Sequence, residues 1–207
     1  MIRFALRYPG RSLRTALFGA CVSMACVSLA WVSPVAAQSG LEGDAITPVF
    51  AFNRICYGQV PALQGIRNMA TQLGWKPLTD DELAPFGSKA DWATLEGWDV
   101  QLGNAFYRLG LSQGPASDDI VTQFPDFETG TSTSCTLILG DEHDAATVAS
   151  QMQELAGKEP VQAAVDEGSV LTTSWAGGNA DFKVFLFNKV SKTGEGNVLN
   201  VTLISKE

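Results

Sequence analysis

Two cysteines far apart in sequence, Cys56 and Cys135, constrain the fold of this chain more than anything else in it. Bonded, they tie a first helical region to a later strand, and closing a loop of roughly 80 residues in this way carries about 4.5 kcal/mol of chain entropy. Whether they bond depends on the compartment, and the other two cysteines bear on that. Cys21 and Cys26 lie in a stretch that reads as a secretory leader. Residues 1–15 hold Arg3, Arg7, Arg11 and Arg14 and no acid. Ala16 to Val32 is apolar, broken only by serines, and Ser33-Pro34-Val35-Ala36-Ala37 ends in small side chains ahead of Gln38. A basic start, an apolar middle and a small-residue cleavage site predict export with a cut after Ala37. The alternative is an uncleaved anchor, but an apolar stretch of about 17 residues is at the short end for a spanning helix. The leader has no adjacent arginine pair, which favours Sec-type over twin-arginine export. Neither leader cysteine has the leucine three residues before it that would mark a lipid-anchored cysteine.

Cleavage leaves 170 of the 207 residues, enough for one domain with a real core. It also leaves a single cysteine pair, which in an oxidising compartment reads as a disulfide. The competing reading, a redox or nucleophilic thiol, lacks a C-x-x-C motif and a basic residue beside Cys135. The leader removes four of 14 Lys+Arg and none of 22 Asp+Glu, so the net charge moves from −8 to near −12. Such a surface repels nucleic acid and anionic lipid. The expected organisation is a leader over 1–37, a flexible segment over 38–47 and one domain over 48–207, periplasmic or secreted, with no stable membrane insertion after cleavage.

The clearest helical pattern follows Pro61, which suits a first helical position. Leu63, Ile66, Met69, Ala70 and Leu73 recur at steps of three and four, and Gly74 and Pro77 end the run. A shorter helix over Val49 to Gly58 carries Phe52, Ile55 and Cys56. Thr79-Asp80-Asp81-Glu82 has the form of a capping box and predicts one or two helical turns ending at Pro85-Phe86-Gly87. Strand patterns are expected from Asp99 to Leu102 and from Ala105 to Leu111 around a Gly103-Asn104 turn. The irregular stretch Gln113 to Thr131 has one expected turn near Asp118–Gln123. Thr133, Cys135, Leu137 and Leu139 mark a strand. Asp141-Glu142-His143-Asp144 opens a helix reaching Ala156, stopped by Gly157 and Pro160. A further turn is expected over Pro160 to Glu167, then three strands over Ser169–Trp175, Phe182–Val190 and Asn197–Ser205, joined by glycine-containing turns.

The two helices end alike, Met69/Gly74/Pro77 matching Met152/Gly157/Pro160, and each half closes on Thr-Leu-Ile. The reading is α+β: an antiparallel sheet of about six strands with helices on one face. The matches, mostly helix-stop and turn residues, are short enough to arise by chance, and the alternative is an αβββ–αβββ internal pseudo-repeat.

The chemistry-bearing residues are few. His143 is the only histidine, and no G-x-S-x-G accompanies it. One histidine and a bridged cysteine pair make a poor zinc set, and the loop acids Asp118, Asp119, Asp126 and Glu128 lack calcium-loop spacing. Neither a phosphate-binding glycine loop nor a dinucleotide fingerprint occurs. No catalytic, cofactor-binding or metal-binding residue is therefore assigned, and no cofactor is expected. The surface candidates are His143 and Asp144 at a strand-to-helix junction, and Trp92 and Trp98 in a loop. Exposed tryptophans bind ligands such as sugars, but more often they cover a core.

The leader, Phe52-x-x-x-Cys56 and a helix ending in Gly74-Trp75 together resemble a broad group of small exported alphaproteobacterial proteins. The resemblance covers mainly residues 50–76. It implies periplasmic placement and a mixed α+β domain, with Phe52 and Trp75 in the core and Cys56 in a disulfide. It implies no activity.

The expectation is a non-enzymatic domain that binds an unidentified protein or small ligand or contributes to the envelope. The alternatives are a hydrolase using His143 or a carboxylate pair such as Asp80/Asp81 or Asp166/Glu167, and an inhibitor or accessory chaperone acting through an edge strand, for which Asn197–Ser205 is the candidate. The intact mass of the exported protein is expected to fit a chain starting at Gln38, with both cysteines blocked to alkylation until reduced. Two thiols that alkylate freely in the native protein would overturn the disulfide.

Overall fold

The structure, a computed structural model, describes residues 46–87, 91–140, 143–194 and 196–206. The expected leader and most of the segment 38–47 lie outside these residues.

Chain order explains most of the architecture. The first helix, α1 (Pro48–Phe52), is capped by Thr47, whose Oγ1 accepts from the Phe50 N–H at 3.2 Å. It widens into a π-helical turn over Asn53–Tyr57. Phe52, Ile55 and Cys56 lie on its inner side and are fully buried. Helix α2 (Leu63–Leu73) begins two residues later than Pro61 implied. Pro61 instead belongs to the preceding turn, following a cis peptide bond. Gly74 ends α2 in the left-handed region at φ 65°. The Trp75 N–H reaches Ala70 O and the Gly74 N–H reaches Thr71 O, the double closure that glycine permits at a helix end.

Eight antiparallel strands follow: β1 (Lys76–Pro77), β2 (Thr94–Leu102), β3 (Ala105–Pro115), β4 (Thr131–Leu139), β5 (Gln162–Asp166), β6 (Val170–Gly178), β7 (Phe182–Ser191) and β8 (Val198–Ser205). Their order across the sheet is β1-β2-β3-β4-β8-β7-β6-β5. Two further helices are α3 (Asp118–Gln123) and α4 (Ala145–Ala156).

Several expectations are corrected. The sheet has eight strands rather than about six, because two short outer strands flank the expected set. β2 begins at Thr94, so Trp98 lies in a strand and not in a loop. The capping-box segment does form its expected helical turns, the Leu83 N–H reaching Thr79 O and a 3-10 helix over Ala84–Phe86 ending at Gly87. Its box half forms, with the Thr79 N–H and Oγ1 both donating to Glu82 Oε2. Gln162–Asp166 is an edge strand where a turn was expected, since pairing with β6 overrides the helical bias of Gln-Ala-Ala. Its register shifts between Gln162 and Val165, and Ala164 takes φ 48°, a bulge that irregularises an otherwise exposed edge. The C-terminal strand is not an edge: β8 lies at the centre, paired to β4 and β7. The short α3 also departs from the single helical face, since Phe124 at its end meets Phe185 on the opposite side of the sheet.

The main core lies between the sheet and α1, α2 and α4. Tyr107, Leu109 and Leu111 of β3 face it, with Cys135, Leu137 and Leu139 of β4 and Leu199 and Val201 of β8. Leu63, Ile66 and Ala70 of α2 and Val148 and Met152 of α4 close it from above. Arg67 of α2 clasps Glu96 of β2 through two hydrogen bonds, at 2.9 and 3.2 Å. From α4, Gln153 Oε1 accepts from the buried Trp175 Nε1 at 3.1 Å.

Cys56 and Cys135 are bonded, their Cα atoms 5.3 Å apart and both side chains fully buried. The bridge joins the π-helical turn to a central strand. Replacing both cysteines by alanine is expected to lower the unfolding free energy by about 4–5 kcal/mol, measured by urea titration, with a steeper slope because the denatured chain loses its cross-link. A loss below about 1 kcal/mol would show that the denatured chain is already ordered around this loop.

Candidate functional site

Side chains alternate across a strand, so every core residue of β4, β7 and β8 has neighbours facing the other way. On that second face one row runs across six strands: Gly97, Gly110, Thr136, Asn200, Phe187 and Ser174. The parallel row behind it holds Ser112, Ser134, Thr202 and Phe185.

The two glycines shape one side. Gly97 and Gly110 pair across β2 and β3. A Cβ at Gly97 would stand 2.7 Å from Leu109 O and 2.8 Å from Leu83 Cδ2. A Cβ at Gly110 would collide with the Phe86 ring. Their bareness lets the segment after β1 lie directly on the sheet, with Leu78 and Leu83 packing on Leu95 and with Phe86 and Trp92 beside them. Phe86 is thereby held over β3 as a wall. The opposite wall is a file of rings: Phe187 stacks on Phe185 (6.5 Å between centroids), Phe185 meets Phe124 (6.0 Å) and Phe124 meets Phe127 edge-on (6.4 Å). Lys183 Nζ lies 5.5 Å above the Phe124 ring.

Between the walls lies a trough of about 320 Å³ with Thr136 and Asn200 on its floor and Pro85, Val198 and Lys189 at its margins. The floor is hydrogen-bonded from side chain to side chain. Asn200 Nδ2 donates to Ser134 Oγ at 2.9 Å and to Thr136 Oγ1 at 2.8 Å. Thr202 Oγ1 donates to Asn200 Oδ1 at 3.1 Å and shares a 2.7 Å bond with Ser134 Oγ, which also reaches Val201 O at 3.3 Å. Both amide protons and the amide oxygen of Asn200 are thus used. Thr136 only accepts in this ring, so its hydroxyl proton is left for a group in the trough. Lys189 lies 3.7 Å from Glu167, whose carboxylate also accepts from Thr172 Oγ1 at 2.7 Å. Two larger recesses, of about 440 and 480 Å³, lie by Leu73–Phe106 and by Gly114–Gly130. Their walls include turn glycines and carry no comparable ring of side-chain hydrogen bonds.

The residues singled out from sequence fall elsewhere. Cys56 and Cys135 form the buried bridge. Trp98 packs against the main core, and Trp92 covers Gly87 and Gly114 on the second face, so the two tryptophans are on opposite sides of the sheet. His143 stacks flat on Tyr107, ring centroids 5.7 Å apart and planes 6° from parallel. Tyr107 belongs to the helical side, so His143 and the trough are on opposite faces. The Tyr107 hydroxyl is buried without a hydrogen-bond partner among the described residues, and burial raises its pKa. Asp144 caps α4, its Oδ2 accepting from the Thr147 hydroxyl at 2.6 Å and the Thr147 N–H at 2.8 Å. Asp141 and Glu142 lie outside the described residues. The Asp166/Glu167 pair is tied to two lysines: Asp166 lies 2.6 Å from Lys192, the main cause of its lowered pKa, and Glu167 is beside Lys189. Among the described residues no group of three His, Cys, Asp or Glu is placed to hold a metal ion, and no helix is long and apolar enough to cross a membrane.

Thr136, Asn200 and Phe187 were not singled out from sequence. One signal was present: Phe185-Leu186-Phe187 places large apolar side chains on both faces of one strand, more than a single core requires. No family model, curated protein or solved structure matches the chain.

The Asp144 cap generates a pH prediction. The Thr147 hydroxyl, and then its N–H, lower the Asp144 pKa. A lowered folded-state pKa means stabilisation that is complete above the ordinary aspartate range and lost as pH falls through the lowered value. Asp144→Asn keeps an acceptor but no charge. The gap in unfolding midpoint between wild type and this variant is expected to narrow from neutral pH to about pH 2. A pH-independent gap would show that the charge contributes nothing.

Proposed function

We propose that this chain is an exported binding domain whose ligand sits in the trough between Phe86 and Phe187. The observation that carries the reading is the hydrogen-bonded ring of Ser134, Thr202 and Asn200, which passes one bond on to Thr136. It is a polar floor already oriented before any ligand arrives, between aromatic walls, on strands rather than loops. The hydroxyls bond to an amide and not to a histidine or carboxylate, an arrangement that holds a ligand rather than activating a nucleophile. Export draws support from the predicted leader and from the buried intramolecular disulfide, which suits an oxidising compartment. The resemblance to small exported alphaproteobacterial proteins agrees with that placement.

The strand order supports the internal duplication as well. Each half runs through a helix and a three-strand meander, β2-β3-β4 or β6-β7-β8, with one short outer strand. On this reading β4 and β8 are equivalent strands, and the trough floor lies on the seam where the two halves meet.

Complementation of a deletion strain separates this reading from a hydrolase built on His143. Phe187→Ala, exported at the normal level with an unchanged melting temperature, is expected to fail to complement, and His143→Ala is expected to complement. The reverse pattern would favour the hydrolase, and full complementation by Phe187→Ala would remove the trough from the function.

A further inference from the structure

Resting on the trough as the binding site, we infer that its ligand is an uncharged glycan bearing acetamido groups, seated with a sugar ring against Phe187. The first argument is charge. The mature chain is strongly acidic, yet Thr136 and Asn200 on the trough floor are neutral, and the cation at its margin, Lys189, is offset by Glu167 at 3.7 Å. Neither an anion nor a cation finds an uncompensated opposite charge there, and desolvating either without one is costly.

The second argument is shape. Phe86 stands over Gly110, and Phe187 lies in the same row three strands further on. At about 4.8 Å per strand the interval is on the order of 14 Å, less the thickness of the rings themselves. That space takes a flat, ring-sized group lying on the floor. A pyranose offers such a shape, with a C–H face of slightly positive character that suits the negative face of an aromatic ring. The file of rings continues from Phe187 through Phe185 to Phe124, so apolar surface extends past the trough, where a second sugar of an oligomer would lie.

The third argument selects the substituent. Thr136 has a proton to give and Lys189 has N–H groups to give, so the site calls for acceptors. Pro85 and Val198 add an apolar margin beside these donors. An acetamido group answers both requirements, its carbonyl accepting and its methyl group covering apolar surface. A plain hydroxyl answers only the first.

Calorimetric titration with chitotetraose, cellotetraose and an uncharged Gly-Ser decapeptide tests this, with amide shifts mapped for each probe. Chitotetraose is expected to bind and to move resonances of β4, β7 and β8, and cellotetraose to bind at least about tenfold more weakly through loss of the acetamido contacts. Phe187→Ala should weaken chitotetraose about tenfold or more. Thr136→Val should weaken it about 3- to 10-fold. His143→Ala should leave it unchanged. Absence of chitotetraose binding overturns the ligand class, and the trough itself stands if the decapeptide moves the same resonances. Chitotetraose binding that survives Phe187→Ala, with shifts mapping elsewhere, overturns ligand class and trough together.

Discussion

The bond between Cys56 and Cys135 is where the two layers of this protein are fixed to each other. It reaches from a helical turn whose inner side is fully buried to a strand at the middle of the sheet. β4 is paired on both sides, so Cys135 cannot rotate away from the helices without breaking two ladders. A one-residue slip would turn Cys135 to the other face and bring Ser134 and Thr136 into the core. The bridge therefore sets the phase of β4. Through β4 it sets which side chains of β3 and β8 face the helices and which face the trough. Leu137 and Thr136 are neighbours in sequence with opposite duties, and one covalent bond assigns both.

The two faces obey different packing rules. The helical face is filled by branched and aromatic side chains, as a close-packed core requires. The second face is lined with small residues, namely Gly97, Gly110, Ser112, Ser134 and Thr136, and large rings stand only at its sides. Small residues let Phe86 and Leu83 descend onto β2 and β3, and they leave room beside those residues over β4 and β8. The same scarcity of bulk that admits the covering segment thus creates the trough next to it. Two of the hydroxyls exposed by that scarcity, Ser134 and Thr136, accept from Asn200.

How much of this was legible in sequence depended on the range of the forces involved. Gly74 and Gly157 ended helices as expected, because a left-handed cap is a local matter. Leu109, Leu111, Leu137 and Leu139 alternated as expected, because a half-buried strand writes its period into the chain. The cysteine pair was legible because setting the expected leader aside leaves one pairing. What failed was non-local. Nothing in Asn197–Ser205 tells which strands will flank it, so its pattern fits an edge and a centre alike. Gln162–Asp166 has no strand pattern of its own and is recruited by the open side of β6. Trp92 and Trp98 were near neighbours in sequence but were separated by the sheet between them. The trough escaped for the same reason, since Phe86, Thr136, Phe187 and Asn200 come from four separate stretches and meet only once the strand order is set.

That dispersal bears on how the site behaves. Its floor belongs to the two central strands, each hydrogen-bonded on both sides, and opening them means unfolding most of the sheet. The Asn200 amide is held at all three of its hydrogen-bonding positions, so the Thr136 proton is directed before a ligand arrives and little ordering is left to be done on binding. The Phe86 wall is different. It stands on a 3-10 turn over bare glycines, held by the small cluster around Leu78, Leu83 and Leu95 rather than by the main core. The trough thus has one rigid floor, one wall built on a strand, and one wall resting on a separate and smaller cluster. Changes in that cluster reach the trough by moving Phe86 and leave the disulfide-bonded core as it was.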